Sequence, residues 1–258
     1  MEKKRLKDIK VRTFECIRDN LIIRGSEYKP AGTNLPIAIV SHGFMGYQDK
    51  VRLYAIELAK LGYVSYCFDF CGGSVDKGKS DGKTTDMSVL SEVKDLKVVI
   101  NYAKSRTYTS NEIVLMGCSQ GGFVSAITAA HLKEEISKLI LFYPALCIPD
   151  DARKGQMMFA KFDPSNIPDI IQCGPMKLGK CYVEDVINMD PYDEIREYKV
   201  KVLLVHGTKD KIVDLLYAIN ASQIYNDIVF KIIEGAGHSF SIKQNKLAIK
   251  YIKDFIMQ

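Results

Sequence analysis

Short, almost uninterrupted apolar runs alternate with longer amphipathic runs along most of the chain. The short runs are rich in Val, Ile, Leu and aromatic residues, a pattern that is typical of strands buried on both faces of a parallel sheet. They are residues 35–41, 63–70, 112–116, 139–142, 200–205 and 228–233, preceded by two β-type runs at residues 9–17 and 21–23.

The intervals between these runs have helical periodicity. In residues 87–103 apolar side chains recur every three or four positions, which places them in one stripe on a helix. The same spacing predicts helices over residues 51–61, 121–132, 213–222 and 246–257. Strands and helices that alternate in this way indicate βαβ units, so we predict an α/β fold with a mostly parallel, doubly wound sheet.

One stretch, residues 147–199, departs from the alternation. It contains five of the eight prolines and is too long for a simple crossover. We predict short helices and loops that form a cap over the carboxyl edge of the sheet, where open α/β sheets bind ligands. An ordinary irregular crossover is the alternative. The predicted organisation is a core of residues 1–146 and 200–258, into which residues 147–199, called the cap segment below, are inserted.

Composition and charge restrict the class of protein. A chain of 258 residues with 47% hydrophobic and 26% charged residues is typical of a globular protein and not of a disordered one. The net charge of +5 is too small to indicate nucleic-acid binding. Basic residues between positions 3 and 10 predict a solvated end, with a polyanion-binding arm as the alternative. Because the N-terminus has no apolar stretch and no run could cross a membrane, we expect a cytoplasmic protein.

The cysteines indicate neither a disulfide scaffold nor a metal site. There are seven, an odd number, and no C-x-x-C pair occurs. Zinc sites need closely spaced Cys or His ligands, which the sequence lacks. We therefore expect reduced thiols, no metal and no cofactor.

The strongest chemical signal is Gly117-Cys118-Ser119-Gln120-Gly121, which has the pattern G-x-S-x-G. It follows a predicted strand and precedes a predicted helix, the context that this motif requires. The glycines permit a tight turn that lifts the serine hydroxyl clear of the backbone. The turn also places the amide of Gln120 at a helix N-terminus, where its N–H is free to bind an oxyanion. We predict that Ser119 is a nucleophile; a small-residue turn that packs a helix on a strand is the alternative.

A serine hydroxyl needs a base, and the base needs an orienting carboxylate. In this architecture the chain order is Ser, then Asp or Glu, then His. His238 follows the last predicted strand in a glycine-containing loop, and Asp210 follows the strand at 200–205. We therefore predict a triad of Ser119, Asp210 and His238, with Asp214 as the competing acid.

The remaining histidines are predicted to have other roles. His206, at the end of a strand, is predicted to be structural, and His131, in the helix after the serine, to be a surface or packed residue. The loop Ser41-His42-Gly43-Phe44 follows an earlier strand, so the N–H of Phe44 is the predicted second oxyanion donor beside that of Gln120. His42 is predicted to brace this loop.

With these motifs assembled, the chain resembles the α/β-hydrolase superfamily over essentially its whole length, and within it the small bacterial cinnamoyl (feruloyl) esterases. The similar stretches are residues 41–44, 68–74, 80–83, 86–89, 117–122, 206–210 and 237–240. The resemblance implies an α/β-hydrolase fold with a cap between the sixth and seventh main strands. It also implies a serine carboxylic-ester hydrolase that cleaves hydroxycinnamate esters through an acyl-enzyme, with Asp151 and Tyr182 hydrogen-bonding the phenolic hydroxyl.

The chain departs from that family at the residue before the nucleophile, where Cys118 replaces a frequent histidine. Met157 and Met158 lie near the position of a cap glutamine that some members have, and methionines make an adaptable pocket wall.

Fold does not fix substrate, so other functions remain as alternatives. They are a monoacylglycerol lipase, a thioesterase, an acyl-peptidase, a haloperoxidase-type perhydrolase and a catalytically silent binding protein. The expected partner is a small-molecule ester, with no nucleic acid and no membrane, and both a monomer and a homodimer remain open.

Overall fold

A single mixed sheet forms the centre of the structure, a computed structural model that describes residues 9–258; the basic residues at positions 3–7 lie outside this range. The strands of the described chain are β1 (Lys10–Arg18), β2 (Leu21–Lys29), β3 (Leu35–Ser41), β4 (Val64–Phe68), β5 (Thr109–Cys118), β6 (Ile136–Phe142), β7 (Gln156–Met157), β8 (Ala160–Lys161), β9 (Ile170–Cys173), β10 (Met176–Gly179), β11 (Lys201–Gly207) and β12 (Ile228–Ile233).

The main sheet has eight strands in the order β1-β2-β4-β3-β5-β6-β11-β12. Only the β1–β2 and β2–β4 pairs are antiparallel, and the other neighbours run parallel. The predicted α/β class with a mostly parallel sheet is therefore confirmed.

Helices cover both faces of this sheet, as a doubly wound fold requires. They are α1 (Arg52–Lys60), α2 (Val89–Lys104), α3 (Gln120–His131), α4 (Ile148–Arg153), α5 (Cys181–Glu184), α6 (Pro191–Ile195), α7 (Leu215–Ile224) and α8 (Ile242–Ile256). Successive side chains of a strand point to opposite faces, and β3 accordingly sends Ile37 and Ile39 into the core under α2 and α3, and Ala38 and Val40 into the core under α1 and α8.

The carboxyl ends of the central strands lie side by side. Ser41 at the end of β3 pairs with Gly117 of β5, and Cys118 pairs with Phe142 at the end of β6. Phe142 in turn pairs with Val205 near the end of β11. The loops that follow these strands, and the loop after β12, therefore meet along one edge of the sheet.

Two predicted element boundaries are wrong by four residues or more, and others differ by up to three. Strand β2 continues to Lys29, well past the predicted residue 23, because the polar Glu27 is buried and accepts hydrogen bonds from the hydroxyls of Tyr66 and Tyr108. Helix α8 begins at Ile242 and not at residue 246, because Ser241 and Gln244 form a capping box ahead of the apolar stripe.

The cap segment lies between β6 and β11, which are the sixth and seventh strands of the main sheet in chain order. It contains the short helices α4, α5 and α6, as predicted, but also two hairpins, β7–β8 and β9–β10, which the prediction of helices and loops missed. The turn of the first hairpin contains Met158 at a φ of 50°, and that of the second contains Gly174 at a φ of 62°. The limits of the segment as a separate unit stay a prediction.

Within residues 9–258, no helix combines enough length with enough apolar character to cross a membrane.

Candidate active site

Ser119 lies in the sharp turn between β5 and α3. Its φ of 54° and ψ of −125° are strained for a residue with a side chain. The flanking glycines explain how the turn closes. A Cβ at Gly117 would lie 2.1 Å from the carbonyl oxygen of Gly121, and one at Gly121 would lie 2.2 Å from that of His42. Only glycine fits at either position, so the motif G-x-S-x-G is a packing requirement of this turn.

The structure brings the three predicted triad residues together. The Nε2 atom of His238 lies 2.9 Å from the Oγ atom of Ser119, and its Nδ1 atom lies 2.8 Å from the Oδ2 atom of Asp210. The His238 ring also packs edge-on against Tyr143, with 4.8 Å between the ring centroids. Three residues separated by up to 119 positions thus form one hydrogen-bonded chain.

The carboxylate of Asp210 is fully buried, yet every contact on it favours the charged form. Its Oδ1 atom accepts hydrogen bonds from the amides of Ile212 and Val213, at 2.9 and 3.0 Å. Burial alone would raise the pKa of Asp210, but hydrogen bonds from His206 and His238 outweigh it and hold this pKa well below its usual value. Asp210 is therefore an anion that can orient and stabilise a histidine.

The competing acid is placed elsewhere. Asp214 is exposed and caps α7, where its Oδ1 atom accepts a hydrogen bond from the amide of Leu216 at 2.8 Å. His131 is also exposed, at the C-terminal end of α3, with its Nδ1 atom 3.1 Å from Lys97 Nζ. Neither residue belongs to the hydrogen-bonded chain at Ser119.

His206 is closer to the site than its predicted structural role implied. It is fully buried, and its Nε2 atom lies 3.0 Å from the carbonyl oxygen of Val213 and 3.3 Å from Asp210 Oδ2. Sequence reasoning missed this contact with the acid. The signal was available, because His206 at a strand end and Asp210 four residues later span a single turn.

The two amides predicted to bind an oxyanion flank Ser119. Within the described part of the chain, neither the N–H of Phe44 nor that of Gln120 donates a hydrogen bond to another protein group. The loop that carries Phe44 approaches the nucleophile closely, since a Cβ at Gly43 would lie 2.9 Å from Ser119 Cβ. Free amides beside a serine hydroxyl are the arrangement that stabilises a tetrahedral oxyanion.

His42 braces this loop, as predicted. It is fully buried; its Nδ1 atom lies 2.8 Å from the carbonyl oxygen of Gly43, and its Nε2 atom accepts a hydrogen bond from the amide of Phe70 at 3.2 Å. Burial lowers the pKa of His42, which keeps the ring neutral with one donor and one acceptor nitrogen. The ring therefore ties the loop after β3 to the end of β4.

Two cavities meet at Ser119 and Phe44. The first, of about 250 Å³, lies under the cap segment, and its wall includes Asp151, Met157 and Tyr182. The second, of about 420 Å³, lies on the side of His238, and its wall includes Tyr143, Met45, Lys50 and Asn245. A substrate bound across the serine would place one part in each cavity.

Both residues expected to contact a phenolic hydroxyl line the first cavity. Asp151 is half-buried, and burial raises its pKa, although the thiol of Cys147 lowers it in part. Tyr182 is 3% exposed, and its hydroxyl donates a hydrogen bond of 2.5 Å to the Oε1 atom of Gln120. Their contact with a substrate stays a prediction.

Metal-ligating groups and thiols are the other reactive side chains to consider near Ser119. Among residues 9–258, no cluster of three His, Cys, Asp or Glu side chains has the arrangement of a metal site. The seven cysteines all lie in this range as free thiols. Burial raises the pKa of Cys118, next to the nucleophile, to about 12, so its thiol is not a competing nucleophile at neutral pH.

The chain is similar to known proteins in both sequence and structure. The pattern of the family described as serine aminopeptidase, S33, matches residues 34–184. Monoglyceride lipase from Rattus norvegicus is 27% identical over 245 residues, covering 82% of this chain and 78% of the relative; the Homo sapiens enzyme is 25% identical over 246 residues with the same coverage. The structure of Est1E from Butyrivibrio proteoclasticus with ferulic acid bound is similar at a TM-score of 0.87 and 27% identity, covering 95% of this chain and all of that one.

Proposed function

The chain belongs to the serine aminopeptidase S33 family of α/β-hydrolases, as its resemblance to that superfamily predicted. From this premise we propose that it is a carboxylesterase that cleaves hydroxycinnamate (feruloyl-type) esters. It is a serine hydrolase by fold and family. The bond that is cleaved, the acyl group and the roles of the site residues are proposed in addition to this family membership.

In the first half of the proposed reaction, the hydroxyl of Ser119 attacks the ester carbonyl carbon while His238 takes its proton. The carbonyl oxygen becomes an oxyanion that the amides of Phe44 and Gln120 bind. Asp210 stabilises the imidazolium that forms on His238. The bond to the alcohol oxygen then breaks, and His238 returns its proton to that oxygen, which leaves an acyl group on Ser119.

In the second half, His238 removes a proton from a water molecule whose oxygen attacks the acyl carbon. The bond between that carbon and Ser119 Oγ then breaks, and His238 returns the proton to Oγ, which releases the free acid and restores the serine. The two cavities divide the substrate between them. His238 lines the second cavity, so the alcohol that it protonates leaves on that side. The acyl group then occupies the first cavity, under the cap segment.

The observation that supports a hydroxycinnamoyl group is the position of the Asp151 carboxylate in the wall of the first cavity. An alkyl chain packed against this half-buried carboxylate would remove its remaining water without replacing the hydrogen bonds. A phenolic hydroxyl replaces them, because it donates directly to the carboxylate. The apolar residues of the same wall, such as Met157 and Ile148, suit the aromatic ring. The likeness to Est1E with ferulic acid bound also supports a hydroxycinnamoyl group.

A monoacylglycerol lipase is the second candidate. Two observations favour it: the curated relatives are monoglyceride lipases, and Met158, Phe159 and Ile212 give the first cavity an apolar, partly exposed mouth. In that case the acyl group is an alkyl chain and the alcohol is glycerol.

A fluorophosphonate label and an ester panel test the proposal. The wild type should label at Ser119 and hydrolyse methyl ferulate faster than methyl cinnamate, which lacks the phenol, and faster than monoacylglycerols. Ser119→Ala should lose turnover by a factor on the order of 10³–10⁶ while keeping its fold. Full turnover in a folded Ser119→Ala protein would exclude the mechanism.

The phenol contact has its own matched pair of variants. Asp151→Asn should reduce the preference for ferulate over cinnamate, whereas Asp150→Asn, at a neighbour outside the cavity wall, should leave it unchanged. A wild-type preference for monoacylglycerols would replace the first candidate with the second.

A further inference from the structure

We propose that Tyr182 is a positioning residue for the oxyanion hole, because one side chain of the cap segment contacts both residues whose amides bind the oxyanion. The inference rests on the proposed ester hydrolysis and gives Tyr182 a role that does not depend on a phenolic substrate. In this role the hydroxyl acts through Gln120, and the ring acts through Phe44.

The first contact is the hydrogen bond to Gln120. The Tyr182 hydroxyl donates to Gln120 Oε1 at 2.5 Å, and both side chains are almost fully buried, at 3% and 1% exposed. Gln120 is the first residue of α3, so its side chain and its free amide share one Cα next to Ser119. Fixing the side chain restricts the direction in which that N–H points.

Two other side chains contact the amide group of Gln120. Its Nε2 atom lies 3.8 Å from the sulfur of Met87, which is a weak acceptor. Glu92 also hydrogen-bonds the Gln120 side chain; burial raises the pKa of Glu92 well above its usual value, and this hydrogen bond lowers it only in part. The hydrogen bond from Tyr182 is the one that fixes the Oε1 end of the amide group.

The second contact is with Phe44. The rings of Phe44 and Tyr182 lie 5.8 Å apart between centroids at an interplanar angle of 59°, a tilted aromatic pair. Phe44 is half-buried and belongs to the loop after β3. Tyr182, in α5, thus connects that loop with the start of α3. These two elements also meet where the backbone of His42 packs against Gly121.

Burial also raises the pKa of Tyr182 well above its usual value. The hydroxyl therefore remains a donor over the whole pH range of an enzyme assay. The bond to Gln120 uses the single proton of the hydroxyl, so a phenolic substrate could meet Tyr182 only by donating to its oxygen. Loss of the bond to Gln120 should instead affect every ester, and not only those with a phenol.

The experiment compares Tyr182→Phe, which keeps the ring, with Gln120→Met, which keeps the backbone amide but removes the acceptor. Both variants and the double variant are assayed with methyl ferulate, methyl cinnamate and 4-nitrophenyl acetate. Each single variant should lower kcat about 10-fold or more on all three esters with little change in KM, which is less than the ~10²–10³-fold loss on deleting an oxyanion donor outright. The double variant should lose little more than either single one.

A phenylboronic acid provides a readout that a purely structural role would not move. It forms a tetrahedral adduct with the serine hydroxyl, in which one boronate oxygen occupies the oxyanion site. Tyr182→Phe should weaken its inhibition about as much as it lowers kcat, while inhibition by the product ferulate stays unchanged. Tyr198→Phe is the matched control, since this buried hydroxyl donates to the carbonyl of Ile136.

The outcomes separate the inference from the proposed function. A Tyr182→Phe loss confined to ferulate and expressed in KM would overturn the positioning role and assign Tyr182 to the phenol. Additive losses in the double variant would also overturn it. A wild type that hydrolyses none of the three esters would instead contradict the proposed function. Thermal melting of each variant establishes that it is folded.

Discussion

The Nε2 atom of His206 lies 3.3 Å from the Oδ2 atom of Asp210, although only a structural role was predicted for this histidine. Its other partner, the carbonyl oxygen of Val213, requires a proton on Nε2, so the ring presents a donor to the carboxylate. This contact helps to fix the rotamer of Asp210. We expect His206→Gln to lower kcat about 10-fold with KM nearly unchanged, and His131→Gln, at an exposed site, to leave both constants as they are.

Replacing the two candidate acids distinguishes them directly. Asp210→Asn should lower kcat by about 10⁴-fold, because the amide no longer stabilises the imidazolium of His238 and favours the wrong tautomer. Asp214→Asn should cost no activity, since Asp214 only caps α7. Steady-state kinetics on one ester measures both effects, and equal losses in the two variants would contradict the assignment.

A methyl group at Gly43 tests the approach of the oxyanion loop to the nucleophile. Its Cβ would lie 2.9 Å from Ser119 Cβ and 3.4 Å from Ser119 Oγ, so the loop must move by a few tenths of an ångström. Gly43→Ala should lower kcat on the order of 10²-fold, because small displacements of the donors are costly in the transition state. We expect a smaller effect on the melting temperature than that of Gly117→Ala, whose Cβ would lie 2.1 Å from a backbone oxygen.

The buried carboxyl group of Glu92 should make the protein less stable as the pH rises. It is 1% exposed, and burial raises its pKa in the folded protein well above its usual value. The unfolded chain releases this proton near pH 4.3, whereas the folded protein retains it, so the free energy of unfolding falls as pH rises above that value. Glu92→Gln cannot titrate and should melt at least about 2 °C above the wild type at pH 7.

Below pH 4 both folded and unfolded Glu92 are protonated, and the gain from Glu92→Gln should disappear. Melting curves between pH 3.5 and 8 measure this trend. A difference in melting temperature that stays constant over that range would show that the carboxyl group of Glu92 is not the cause.

The elements that position the site could be predicted because their patterns are local. Strand β3 has the predicted bounds, and the G-x-S-x-G turn is recognised from five consecutive residues, although the steric limit at Gly121 comes from the distant His42. The order of Ser119, Asp210 and His238 along the chain reflects the order of the strands. These predictions needed no knowledge of contacts between distant segments.

What the sequence could not predict depends on such contacts. Strand β2 looked too polar beyond residue 23, and only the distant Tyr66 and Tyr108 explain why Glu27 can be buried there. The hairpin β7–β8 turns at Met158, which is not a residue that predicts a turn. The bond between Tyr182 and Gln120 joins residues 62 positions apart, and no spacing rule would find it.

The first cavity takes much of its wall from one uninterrupted length of chain, between Cys147 and Tyr182, whereas Ser119, Asp210 and His238 stand outside that length. A single recombination event that replaced this length would therefore exchange the proposed acyl-binding surface and leave the reactive groups unchanged. The bond from Tyr182 to Gln120 limits this freedom. A replacement segment without a tyrosine at position 182 would change the preference for the acyl group and would also slow the reaction.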